Sequence, residues 1–395
     1  MLDGWTRAQL GNLGTFHKGK GITKSDLSDH GVPCLRYAEI YTTFGDVTSR
    51  LKSFVPIGSA SEATSIKYGD IIFAASGETA EDIGKAIAFV GRFDAVAGGD
   101  TVILRDHGQD PSFLAHVLNS HSVVRQKSRL GKGQSIVHIH ASDLAGVTVD
   151  LPPLPEQRKI AEILRTWDEA IEKLEALRSV KEKLYSALAD GLIFGTIGND
   201  GCAWKLRRLG EVTRELTQRN NDGKLGRELV MGVTNSRGIV PMREQTIGSN
   251  LTRYKILPPK AFAYNPMRIN VGSIAMLRLP SAVLVSPDYV LFECIPGKLD
   301  PDYLDHLRQS HFWGHYINAG GSGSVRMRTY YDDLAALKMK LPDFEDQQKI
   351  SAILNTAQAE IGLLVSEIET LTRQKRGLMQ KLLTGEWRVQ VEEAA

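Results

Sequence analysis

The sequence predicts an α+β chain. Two mixed α/β domains are separated by two long antiparallel helices that form a coiled coil, all on an internal pseudo-twofold repeat. Three observations predict this. The stretch LPPLPEQRKIAEIL from Leu151 returns as LPDFEDQQKISAIL from Leu341, shifted by 190 positions. A long proline-free stretch with apolar residues at steps of four and three follows each copy. Short β-rich runs bounded by glycine and aspartate precede each copy.

Internal duplication decides the architecture. The 190-residue shift pairs Gln157 with Gln347, Ile160 with Ile350, Leu164 with Leu354, Leu188 with Leu378 and Gly195 with Gly385. It also pairs DPSFLAHVLNS at Asp110 with DPDYLDHLRQS at Asp300. The openings WTRAQLGNL and WKLRRLGEV match at a shift of 199, so length changes lie between. The chain divides into a first globular domain (1–151), a first long-helix region (152–196), a second globular domain (197–341), a second long-helix region (342–388) and a tail (389–395).

In the first globular domain, YGDIIFAAS, KAIAFV and DTVILR read as strands; in the second, KAFAYN, SIAMLRL, AVLVS and YVLFEC do. The Asp-Pro starts at Asp110 and Asp300 read as helix N-termini. In the second long helix the seam runs through Ile350, Leu354, Ile361, Leu364, Ile368, Leu371 and Leu378, with Lys375 interrupting. The first shows Ile160, Leu164, Trp167, Ile171 and Leu174, then shifts face through Leu177, Leu184, Leu188 and Leu192. A helix of about 35 residues is about 50 Å long. Two such helices could pair along their seams; the alternative is that each lies across its own domain.

Composition bounds the rest. The chain has 395 residues, 42% hydrophobic and 24% charged, a globular balance too long for one ordinary core. No run of about 18 apolar residues appears, so no membrane association is expected. With no leader pattern at the start, the expected location is cytoplasmic. Cys34, Cys202 and Cys294 are far apart and read as buried thiols. Net charge is +2, unevenly spread: residues 1–151 carry 15 Lys and Arg against 16 Asp and Glu, and residues 197–341 carry 20 against 13. That basic second domain is compatible with a polyanion.

Catalytic signatures are lacking. No GxxxxGK[ST] or strand-to-helix GxGxxG occurs. NPMR at Asn265 has Met267 and Arg268 where an amino-methyltransferase tetrapeptide carries a second proline and a base-stacking aromatic. His138 and His140 lack a third metal ligand. The pairs Glu81 with Asp82 and Asp332 with Asp333 read as solvated or capping. GKGQS at Gly131 and GSGS at Gly321 are either surface turns or loops whose backbone approaches a partner closely.

Candidate nucleic-acid contacts do accumulate. Arg125, Lys127, Arg129, Lys132, Gln134, Ser135, His138 and His140 crowd one span. Ser322, Ser324, Arg326, Arg328 and Tyr330 occupy the matching span of the second copy. Arg219, Asn220, Asn221, Lys224 and Arg227 form a third group, and Arg268 is added from NPMR. Lys and Arg neutralise phosphates, and Arg, Asn and Gln match guanine and adenine edges. Each group alone could be an ordinary solvated face; two at equivalent repeat positions favour contact.

The two LP…Q…KI…IL segments, the long helices ending near IFGT and LLTG, and the paired openings resemble the specificity subunits of type I restriction–modification systems. The resemblance covers the whole chain in order. It implies two target recognition domains, each reading one half of a bipartite, asymmetric DNA site. It implies helices that set the spacer and dock two modification subunits, with Gln157 and Gln347 joining the seam residues as docking candidates. It implies a chain that is not itself an enzyme and holds no cofactor. S-adenosylmethionine, ATP and Mg would belong to the modification subunits and two restriction subunits. The competing readings are a methyltransferase or nuclease with its own active site, and a coiled-coil scaffold that binds proteins.

Overall fold

The computed structural model describes residues 4–133, 135–197, 204–235, 237–319 and 328–390. They form two compact units. The first joins the chain up to Lys173 with the residues from Ile368 onward; the second is Leu174–Glu367. Each unit is one globular domain plus half of each long helix. The division therefore runs through the middle of both helices.

The first domain has two sheets. One orders Thr15–Lys18, Thr101–Arg105, Ile71–Ala74 and Ala86–Phe89 antiparallel, with Val47–Thr48 parallel at the edge. All four residues of Ile71–Ala74 and of Ala86–Phe89 are buried. That explains why these runs are continuously apolar instead of alternating. The other sheet orders Ser53–Val55, Val32–Leu35, Ala95–Ala97 and Thr64–Ile66, with one parallel pair, Val32–Leu35 beside Ala95–Ala97.

The second domain repeats both sheets. Thr213–Leu216, Val290–Cys294, Phe262–Tyr264 and Ile274–Met276 form the antiparallel one. Gly238–Pro241, Val230–Thr234, Val283–Val285 and Lys255–Leu257 form the other, again with one parallel pair at its centre. The duplication thus runs through the middle of each domain, where the sequence shows little of it. The domains differ in connections: a helix, Tyr37–Thr42, and the edge strand Val47–Thr48 stand in the first where the second has a tight hairpin after Thr234.

Each domain closes with the same ribbon. Thr6–Gln9 pairs with Thr148–Leu151, and Lys205–Arg208 with Lys338–Leu341. The Asp-Pro helices are Pro111–Leu118 and Pro301–Leu307. Asp110 and Asp300 accept the backbone N–H of Phe113 and Tyr303, both at 2.9 Å. Cys34 and Cys294 are buried thiols; Cys202 lies outside the described residues.

The long helices are Leu154–Ile193 and Phe344–Leu383. Each starts from its own domain and ends on the other's core: Leu382 and Leu383 are buried with Ile160 and Leu164, and Leu192 and Ile193 with Leu354. Within each unit the two halves pair antiparallel. Lys375 bonds to Asp168 in the first unit, and Lys181 to Glu360 at 2.5 Å in the second. The expected shift of face in the first helix does not occur. Leu177 and Leu184 are exposed, while Arg178, Lys181, Tyr185, Leu188 and Leu192 keep the three–four spacing on the covered side. Long basic stems replace leucines there, covering apolar surface while their heads reach carboxylates. No helix among the described residues is long and apolar enough to cross a membrane.

Candidate nucleic-acid interface

In the first domain the helix His121–Leu130 ends at Gly131, and the chain returns through Val137–His138 to the helix Ala141–Ala145. Arg125 and Arg129, one turn apart, are both exposed, and neither guanidinium has a partner among the described residues. Lys132 reaches Asp143 at 3.1 Å but stays largely in solvent, and its backbone exchanges hydrogen bonds with His138. Ser135, His138 and His140 are exposed. Of the two histidines only His138 lies in the strand. His138 meets Ser76 Oγ through Nδ1 at 2.9 Å, and His140 is the N-cap of the next helix, where Asp143 accepts its backbone N–H.

Lys127, counted by its sequence position among the candidate contacts, faces the core instead. It is 1% exposed, and its Nζ donates to the Gly84 carbonyl at 2.5 Å. Burial pushes its pKa down to about 7. An alternation that puts Arg125 and Arg129 outward turns residue 127 to the core. Lys127 therefore props the segment between the strands Ile71–Ala74 and Ala86–Phe89 and does not reach a phosphate.

In the second domain the fold gathers three exposed segments. Thr329 donates its N–H to the Pro266 carbonyl at 3.0 Å, bringing Arg328 and Tyr330 beside the loop that carries Arg268. Ser273 Oγ donates to Val233 O at 3.2 Å, tying that loop to the hairpin holding Asn235 and Arg237. Arg237 and Arg268 are exposed with no side-chain partner among the described residues. Sequence reasoning missed Arg237, because a lone arginine in a turn carries no periodic or repeat signal. The acidic pairs do cap and brace: Asp333 accepts the Tyr330 N–H at 2.8 Å, and Asp82 accepts from Thr79 Oγ1 at 2.9 Å.

The third group is mostly structural. Asn220 is fully buried, bonding Leu225 in both directions, so it cannot present its amide to a base. Arg227 is held by Glu244 and the Gly248 and Ile247 carbonyls. Arg219 donates to Arg253 O at 2.6 Å, and Lys224 pairs with Asp222 at 2.8 Å. Asn221 is exposed. Among the described residues no hydrogen bond joins this turn to the Arg268 loop. Gln134, Ser322, Ser324 and Arg326 lie outside the described residues.

The docking candidates divide in two. Gln157 and Gln347 are each 1% exposed. Gln157 accepts from the Asp110 N–H at 3.1 Å and donates to Pro152 O at 2.8 Å; Gln347 accepts from the Asp300 N–H at 2.9 Å and donates to Pro342 O at 3.0 Å. Both lock the start of a helix to its own domain and are withdrawn from any partner. Ile160, Leu164 and Leu354 are buried in domain cores, with Ile350 and Leu378 packed at their margins. Ile368 is buried, and Trp167, Ile171, Leu174, Ile361, Leu364 and Leu371 are half-buried along the helices.

Residues 3–182 match the type I restriction modification DNA specificity domain. The chain is 22% identical to the type I restriction enzyme EcoKI specificity subunit of Escherichia coli K12, over 99% of this chain and 91% of that protein. It is 23% identical to the MjaVIII specificity subunit of Methanocaldococcus jannaschii, over 65% of this chain and 66% of that one. The crystal structure of a type I restriction–modification S subunit from M. genitalium aligns with a TM-score of 0.64 at 16% identity, covering 96% of each chain.

Proposed function

We propose a specific mode of action on the premise that this chain belongs to the family of type I restriction–modification specificity subunits and is a DNA-recognition subunit. Each globular domain reads one half of a bipartite, asymmetric double-stranded site. The observation that supports this is the duplicated domain itself. One pair of sheets is built twice, and each copy exposes arginines with no side-chain partner among the described residues, Arg125 and Arg129 in one and Arg268 and Arg237 in the other. Exposed cations without carboxylate partners are available to phosphates and base edges. A homodimer would present identical surfaces and read a palindrome; two domains of different sequence read unlike half-sites.

The helices set the spacer between half-sites and carry two modification subunits. Those subunits bind S-adenosylmethionine and methylate adenine, and two restriction subunits supply ATP- and Mg-dependent cleavage. Exposed apolar side chains away from the paired seam, Leu177, Val180 and Leu184, give a partner helix an apolar strip. The test is reconstitution of the full chain with its modification subunit. A complex of one chain with two modification subunits, binding DNA with strong salt dependence, is expected. S-adenosylmethionine binding by the chain alone would favour a methyltransferase; assembly without salt-sensitive DNA binding would favour a protein scaffold.

A further inference from the structure

We infer that the loop joining two neighbouring antiparallel strands of each domain, residues 75–85 in the first and 265–273 in the second, is the edge that reads bases. The inference rests on the DNA-recognition reading above and names where that reading is done.

The two loops occupy one place in the repeated fold. The first joins Ile71–Ala74 to Ala86–Phe89, the second Phe262–Tyr264 to Ile274–Met276. The returning chain holds each in the same way: Ile139 donates its N–H to Ala75 O, and Thr329 donates its N–H to Pro266 O, both at 3.0 Å. Residues 139 and 329 are equivalent under the 190-residue shift. A support this similar, under loops of unrelated sequence, separates what the fold keeps from what it varies.

The second loop is fixed before any partner arrives. Asn265 N–H donates to Ser273 O at 3.1 Å, Arg268 N–H to Asn265 O at 2.9 Å, and Ser273 N–H to Arg268 O at 3.1 Å. Asn265 Oδ1 accepts the Met267 N–H at 2.9 Å. From this rigid turn Met267, Arg268, Asn270 and Val271 are exposed. Asn235 of the neighbouring hairpin lies against Gly272, where an added Cβ would stand 3.5 Å from that of Asn235. An arginine fork fits guanine O6 and N7, an asparagine amide fits adenine, and an apolar side chain fits the thymine methyl. Holding the backbone that carries such groups in place beforehand lowers the ordering cost of binding.

The first loop carries the opposite charge. Glu78 and Glu81 are exposed, and neither carboxylate has a partner among the described residues. A surface that only gripped phosphates would not place carboxylates there, because they repel the backbone. A carboxylate does accept from the cytosine N4 amino group. Opposite chemistry at equivalent positions gives two unlike half-sites.

The test is selection of randomised duplex DNA by the chain complexed with its modification subunit, followed by sequencing. Arg268→Ala is expected to lower the preference for guanine at one position of one half-site about tenfold or more, leaving the other half unchanged. Arg268→Lys is expected to keep affinity yet lose the same preference, since an ammonium lacks the fork. Glu78→Ala with Glu81→Ala is expected to change only the other half-site. Uniform weakening with every base preference retained, or rescue of the preference by Arg268→Lys, would overturn the inference by reducing the loop to a backbone contact. A wild-type complex that selects no sequence would instead overturn the DNA-recognition reading beneath it.

Discussion

Lys127 donates its ammonium group to the carbonyl oxygen of Gly84 at 2.5 Å, inside the first domain. Burial lowers its pKa from 10.5 to about 7. Between those two values the unfolded chain holds a proton that the folded chain has released, so raising the pH through this window stabilises the fold. Below about 7 both states are protonated and the cost of burying the charge stands in full. Lys127→Met removes this titration. The stability of the wild type relative to Lys127→Met is expected to rise from about pH 7 towards pH 10, measured by urea unfolding across that range. A pH-independent difference would contradict it.

Gln157 and Gln347 make equivalent bonds 190 residues apart. Replacing Gln157 with alanine leaves the Asp110 N–H and the Pro152 carbonyl without their partner, and Gln347→Ala does the same at Asp300 and Pro342. Each substitution is expected to cost about 1–3 kcal/mol. Lys159→Ala, on the exposed face of the same helical turn, is expected to stay within about 0.5 kcal/mol. Denaturant unfolding of the full chain checks all three.

The unbroken helical seam makes a sharper distinction. Leu164 is fully buried and Leu184 is 63% exposed, although both are leucines of one helix. Leu164→Ala is expected to cost about 2–5 kcal/mol and Leu184→Ala less than about 0.5 kcal/mol in the isolated chain. Comparable losses at both positions would restore the shifted face expected from the apolar pattern.

Arg129 tests the proposed phosphate contacts. Arg129→Ala is expected to weaken DNA binding about equally for all sequences and to make the salt dependence shallower by about one counterion. A fluorescence titration at several salt concentrations measures both. Unchanged affinity and slope would remove this helix from the interface.

Much of the architecture was legible because duplication and periodicity are global signals. The LP…Q…KI…IL repeat marked the helix starts, and Asp110 and Asp300 marked equivalent caps. Two features were hidden. The topology of the domain middles repeats while the sequence does not, because inner strands such as Ile71–Ala74 and Phe262–Tyr264 need only be apolar. The helix seam passes through Arg178 and Lys181, whose stems are covered and whose heads reach carboxylates, so an apolar-only pattern steps off it. The candidate contacts were less legible still. Composition cannot tell an outward Arg129 from an inward Lys127, nor an exposed Arg268 from an Arg227 already held by Glu244.

On the proposed reading, this chain dictates where DNA is modified. Genome-wide adenine-methylation mapping, in cells expressing the proposed modification subunit with and without this chain, is the deciding measurement. The expected result is a bipartite, asymmetric motif that appears only when this chain is present. A formed complex that leaves no new methylated motif would contradict it.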